Sequence, residues 1–299
     1  MSADYQAYVG AIKFGRVEPA PRKPDNRAMN AAAPASSPPL VARRDEDGVA
    51  LLTLDRPAAR NALSLAMIEA LSAAFSSIET DAGVRAVVLT AAGPVFSSGH
   101  DLKELTAARA GADKGRAFFD LTMRACAAMM QQIVALPQPV IAAIEGTATA
   151  AGCQLVATCD LAVAGAEARF CTPGVNIGLF CSTPMVALTR NLARKHAMEM
   201  LLLGDLIPAD EAHRMGLVNR VAPAGGALAE ALALARRIAA RSKLTVKTGK
   251  RAFYTQGEMG LADAYDYAAH VMVENMLAAD AEEGIGAFID KRQPQWKDR

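Results

Sequence analysis

The chain has 299 residues, of which 52% are apolar and 21% charged, with a formal net charge of +1. That length and composition give a folded protein of one or two domains with a large core, and exclude a mainly disordered chain. The near-zero charge offers no field to attract nucleic acid or an anionic membrane, and no run of about 18 apolar residues reads as a transmembrane helix. Five cysteines (Cys126, Cys153, Cys159, Cys171, Cys181) include no CxxC pair and no histidine-rich companion run. No metal site is therefore expected, and the odd count reads as reduced thiols in a reducing compartment.

Residues 1–44 are proline-rich, carry an Ala/Ser/Pro tract at 31–39 and show no apolar period. They are expected to form a disordered arm. Arg16, Arg22 and Arg27 hint at a transit peptide, but the interspersed Asp4, Glu18 and Asp25 argue against one. Residues 45–223 read as an α/β core. Strands are predicted at 49–54, 86–90, 139–144, 160–164 and 216–221. A helix should begin at the N-cap Ser64, with Leu65, Ile68, Leu71, Ala74, Phe75 and Ile78 at helical spacing. A second, long helix is predicted over 115–135. Strands alternating with helices imply right-handed crossovers. Residues 224–299 read as a purely helical part, broken at Gly257–Gly260 and at Ala279.

Two glycine-containing loops follow strands. The first runs from Gly93 to Glu104, where Gly99 precedes a helix predicted to open at His100–Glu104 with Asp101 near its positive end. The second runs from Glu145 to Leu155 and is a row of small residues entering another helix. Free N–H groups at such starts can donate to a developing oxyanion. An ordinary strand-to-helix turn, or close helix–sheet packing, would need similar residues.

Taken together, Asp55–Leu63, the FSSGHDLKEL stretch at 96–105, the GTATAAGCQL stretch at 146–155 with Cys159-Asp160, and Phe288–Arg292 resemble the crotonase (enoyl-CoA hydratase/isomerase) superfamily. Residues 170–184 add a finer resemblance to its enoyl-CoA hydratase domain-containing protein 3 subgroup. The resemblance implies the crotonase (ClpP-like) α/β fold, a spiral of ββα turns with a C-terminal helical part that assembles a homotrimer or dimer of trimers. It implies an acyl-CoA thioester as ligand, with coenzyme A entering as part of the substrate and no separate cofactor. It places the oxyanion donors at the N–H groups of His100 and Ala151. It places CoA along Ala62, Leu63, Gly99, Asp101 and Leu102, with Lys103 and Lys291 as partners for its phosphates. Phe288 and Lys291 match positions that reach CoA, usually across a subunit boundary. The compartment implied is the cytoplasm, or the mitochondrial matrix in a eukaryote.

The resemblance also exposes a departure. Typical hydratases of this family use two glutamates, and the matching positions here hold Gln154 and Gly174. Gln154 can orient a water but cannot take its proton near neutral pH, and Gly174 has no side chain. Since each general acid or base contributes roughly 10²–10⁴-fold, hydration should be severely slowed. A decarboxylase or another enolate-forming enzyme, and a non-catalytic acyl-CoA binder, stay open as alternatives. Cys171, Thr172, Asn176 and Cys181 lie in the segment expected to face the acyl group, and His100 is the candidate replacement acid or base.

Overall fold

The computed structural model describes residues 39–299. The arm expected over 1–44 lies outside the described residues as far as residue 38. Its last four residues, however, are not an arm but the start of a strand. β1 (Val41–Glu46) pairs antiparallel with β2 (Val49–Leu54) through Asp47-Gly48, both at positive φ. Asp-Gly suits the primed hairpin turn, and the charges of VARRDE are tolerated because β1 is an edge strand.

After a single turn of 3-10 helix at Pro57–Ala59 comes α1 (Leu65–Glu79). The Ser64 hydroxyl caps it, accepting from the Met67 N–H at 3.2 Å. Met67, Ile68, Leu71, Phe75 and Ile78 form its buried face, three and four residues apart as the sequence period required.

The chain then repeats one unit three times. β3 (Ala86–Ala91) and β4 (Val95–Ser97) lead to α2 (Leu102–Ala108) and α3 (Arg116–Ala135). β5 (Val140–Ile144) and β6 (Thr147–Thr149) lead to α4 (Ala151–Thr158). β7 (Leu161–Gly165) and β8 (Arg169–Cys171) lead through a 3-10 segment, Pro173–Ile177, to α5 (Ser182–Asn191) and α6 (Arg194–Leu203). β9 (Ile207–Pro208), α7 (Ala209–Met215) and β10 (Arg220–Ala222) follow.

In each unit the first strand joins a six-stranded sheet, ordered β1-β2-β3-β5-β7-β10, and the second joins a four-stranded sheet, ordered β4-β6-β8-β9. This is the predicted spiral of ββα turns. β5 is buried throughout, as a parallel central strand covered on both faces must be.

The strand expected at 216–221 is confined to 220–222. Gly216 instead closes α7 at φ +91, Leu217 and Val218 turn inward, and the Asn219 side chain accepts the Ala162 N–H at 2.8 Å.

α8 (Ala227–Ala239) covers one face of the large sheet, setting Ala227, Ala231 and Ala235 against a cluster that includes Val88, Ile141 and Val163. The helical part predicted from residue 224 therefore begins as a layer of the core. α9 (Lys243–Gln256), α10 (Leu261–Met276) and α11 (Ala279–Ile289) complete the chain. Among the described residues no helix is long and apolar enough to cross a membrane.

Candidate active site

The site grows out of the turn between β2 and α1. Asn61 is fully buried at φ +49. Its side-chain oxygen accepts the Arg56 N–H at 2.9 Å, and its amide nitrogen donates to the carbonyls of Ala92 (2.9 Å) and Val95 (2.8 Å). The Ser97 hydroxyl donates to the Asn61 carbonyl at 2.8 Å, and the Ser98 N–H donates to the Arg60 carbonyl at 3.0 Å. Next, Leu63 N–H donates to Gly99 O at 2.8 Å and Asp101 N–H to Leu63 O at 3.4 Å, an isolated parallel bridge between Leu63 and His100. In such a bridge the amide of the middle residue faces away from its partner. His100 N–H is thus left without a main-chain acceptor among the described residues.

This differs from the predicted origin of the donor. The helix opens at Leu102 rather than His100, and its first amides are taken by Asp101, whose carboxylate accepts from Lys103 (3.0 Å) and Glu104 (3.4 Å). It is the bridge to Leu63, not a helix start, that frees the His100 amide. The Asp101 carboxylate also accepts from the Arg56 guanidinium at 2.9 Å. Burial pushes this carboxyl up, but Arg56 and the two amides outweigh burial and hold it below the usual carboxylate range.

At the second loop, Ala150 carries the unusual angles φ 49 and ψ −119, is tied to Cys171 O through its own N–H at 2.9 Å, and offers no side-chain cap. A non-glycine residue held there stores about 1–3 kcal/mol of strain. The distortion starts α4 with the Ala151 amide uncapped. The two loops abut: a Cβ placed on Gly99 would stand 2.9 Å from Ala150 Cβ and 3.1 Å from the Ala151 nitrogen. One on Gly152 would stand 2.4 Å from Ser97 O. Both glycines are required by this close approach.

His100 and Ala151 line a cavity of about 960 Å³. Ala62, Asp101, Leu102, Lys103 and Gly174 share its wall, as do Asn176 and Cys181. The structure thus brings together most of the residues the sequence singled out. Others fall outside it. Leu63 is fully buried and acts only through its main chain, and Gly99 stands behind the wall. Gln154 is buried and does not line the cavity, its side-chain oxygen without a partner among the described residues. Cys171 and Thr172 are buried as well, Thr172 donating to Met200 O at 2.9 Å. Phe288 and Lys291, at the end of α11, do not reach this chain's own cavity, and Phe288 is 85% exposed.

Arg56 and Arg60 at the mouth, and Met123, Ile177, Leu179 and Phe180 on the apolar wall, were missed. Two arginines four residues apart in Asp55–Leu63 were the available signal for the first pair. Both nitrogens of the His100 ring are buried, and burial holds its pKa below the ordinary histidine value, the Leu63 backbone only partly opposing this.

Comparison with known proteins agrees with this architecture. Residues 44–299 match the family model "Enoyl-CoA hydratase/isomerase". Rat enoyl-CoA hydratase domain-containing protein 3, mitochondrial, is 46% identical over 265 residues, covering 89% of this chain and 87% of the relative. The crystal structure of an enoyl-CoA hydratase from Mycobacterium smegmatis superposes with a TM-score of 0.82 at 48% identity, covering 87% of this chain and 99% of that one. The human domain-containing protein 3 structure superposes with a TM-score of 0.81 at 43% identity, covering 86% and 100%. The chain belongs to the enoyl-CoA hydratase/isomerase family, has the crotonase fold, and resembles that family's domain-containing protein 3 subgroup.

Proposed function

We propose that the protein binds an acyl-CoA thioester in the 960 Å³ cavity and polarises its carbonyl between the His100 and Ala151 amides. The observation that carries this reading is the abutment of the two loops, which sets two unpaired main-chain amides on one wall. Preorganised donors of this kind stabilise an enolate oxygen more than a ground-state carbonyl, which is what acceleration requires. Arg60 and Lys103 at the mouth suit the CoA phosphates, while Met123, Ile177, Leu179 and Phe180 suit an apolar acyl chain.

Hydration itself is weak in this reading. Among the described residues the one carboxylate on the cavity wall, Asp101, is committed to Arg56 and to the cap of α2, so it is no free base. The same observation favours the second reading, an enolate-forming reaction such as decarboxylation, in which the apolar stretch of wall and the two amides suffice. The enzyme acts as a homotrimer or dimer of trimers, through which Phe288 and Lys291 approach a neighbouring subunit's CoA. It works in the cytoplasm, or in the mitochondrial matrix of a eukaryote; the relatives' names call them mitochondrial.

Turnover of purified protein on enoyl-, dienoyl-, malonyl- and saturated acyl-CoA, beside calorimetric titration with each, tests this. The expected result is binding of all four classes, with 2-enoyl hydration far below a typical enzyme rate of about 10 s⁻¹. Absence of binding to every thioester would refute the assignment.

A further inference from the structure

Cys181 lines the cavity together with Gly174. A Cβ placed on Gly174 would stand 2.9 Å from Cys181 Sγ, 3.0 Å from Leu179 O and 3.2 Å from the Cys181 nitrogen. Gly174 is buried, and its carbonyl accepts the Leu179 N–H at 2.9 Å, which folds residues 179–181 down upon it. Its φ lies outside the left-handed region, so a side chain is refused by lack of space rather than by backbone strain.

We propose that Cys181 determines the specificity of the acyl end of the cavity: its thiol and the turn behind it fill the volume any side chain at 174 would need. The second of the two positions that the resemblance assigns to a hydratase glutamate is thereby closed, not merely vacated. The inference rests on reading the cavity as an acyl-thioester site and deepens that reading. It names the substrate class as thioesters whose reaction passes through an enolate without addition of water. Burial holds the thiol's pKa up against the opposing Gly174 N–H, so this stretch of wall carries no charge.

Residues 174 and 181 should then be coupled, a bulkier residue at one demanding a smaller one at the other. The test uses wild type, Gly174→Ala, Cys181→Gly and their combination, compared by thermal melting. Gly174→Ala alone should lower Tm by about 5 °C, the scale of an overpacked core site. Its cost should at least halve when Cys181→Gly is already present. A Gly174→Ala protein melting within about 1 °C of wild type, or an undiminished cost in the Cys181→Gly background, would overturn the proposal.

A second pair of variants reads specificity. Gly174→Glu with Cys181→Gly should hydrate a short 2-enoyl-CoA about 10-fold faster than wild type, and Gly174→Glu alone should not. If the melting coupling is present but the pair hydrates no faster than wild type, closure is not what withholds water, and the specificity claim fails. Calorimetry of wild type with a saturated acyl-CoA keeps the failures apart: no binding would sink the acyl-thioester reading, while melting still reports on the closure.

Discussion

His100 lines the cavity, and both nitrogens of its ring are buried. Its pKa is depressed chiefly by that burial, so the folded protein binds its proton less readily than the unfolded chain does. Stability from this group is therefore present above the unfolded histidine value of about 6.5. It is lost as pH falls from there through the depressed folded value. His100→Gln should flatten the acid limb of a Tm–pH profile below about pH 6.5 while changing little at pH 8. An unchanged acid limb would show that the ring is readily protonated in place. At this scale the sequence was informative about types and silent about space. It showed His100, Gln154, Gly174 and Cys181, but not that Gln154 is kept off the cavity wall, which depends on tertiary packing, or that Cys181 fills the room beside Gly174, which depends on the tight turn closed by Leu179 N–H on Gly174 O.

Long, periodic elements were legible for a reason seen in α1 and β5, where one face or a whole strand is buried and the pattern must show it. β4, β6 and β8 have three residues each, too few for a period, and their pairing in the small sheet could not be read locally. β1 escaped notice because edge-strand charges mask its alternation, although Asp47-Gly48 marked its turn. Among the elements, α9 is held by a buried ion pair. Lys250 donates to Asp160 at 2.7 Å and to the carbonyls of Ile133 and Gln138, while Tyr254 and the Val140 N–H also donate to Asp160. Burial pulls the lysine's pKa down despite the carboxylate beside it. Removing one partner leaves the other buried without its counter-charge, which typically costs about 3–5 kcal/mol. Lys250→Met should accordingly lower Tm markedly and increase proteolysis in α9–α11. A variant as stable as wild type would mean that α9 is held by apolar packing alone.

Across the whole molecule, the terminal helices keep a broad apolar surface in water. Leu261, Tyr265, Met272, Met276, Leu277 and Phe288 are each at least 60% exposed, and α10 has no buried residue. A patch of that extent calls for a partner surface. Light scattering at micromolar concentration should give three or six times the mass of one chain, and a monomer would contradict the assembly proposed here.

The same surface ends at Phe288 and Lys291, outside their own cavity, so the completed CoA site and the oligomer are one claim. That claim and the two unpaired amides meet in a crystal structure with a non-reactive acyl-CoA analogue. The thioester oxygen is expected within about 3 Å of both the His100 and Ala151 nitrogens, with a neighbouring subunit's C-terminal helix over the nucleotide. An analogue bound elsewhere, or with its carbonyl beyond hydrogen-bonding reach of both amides, would contradict it.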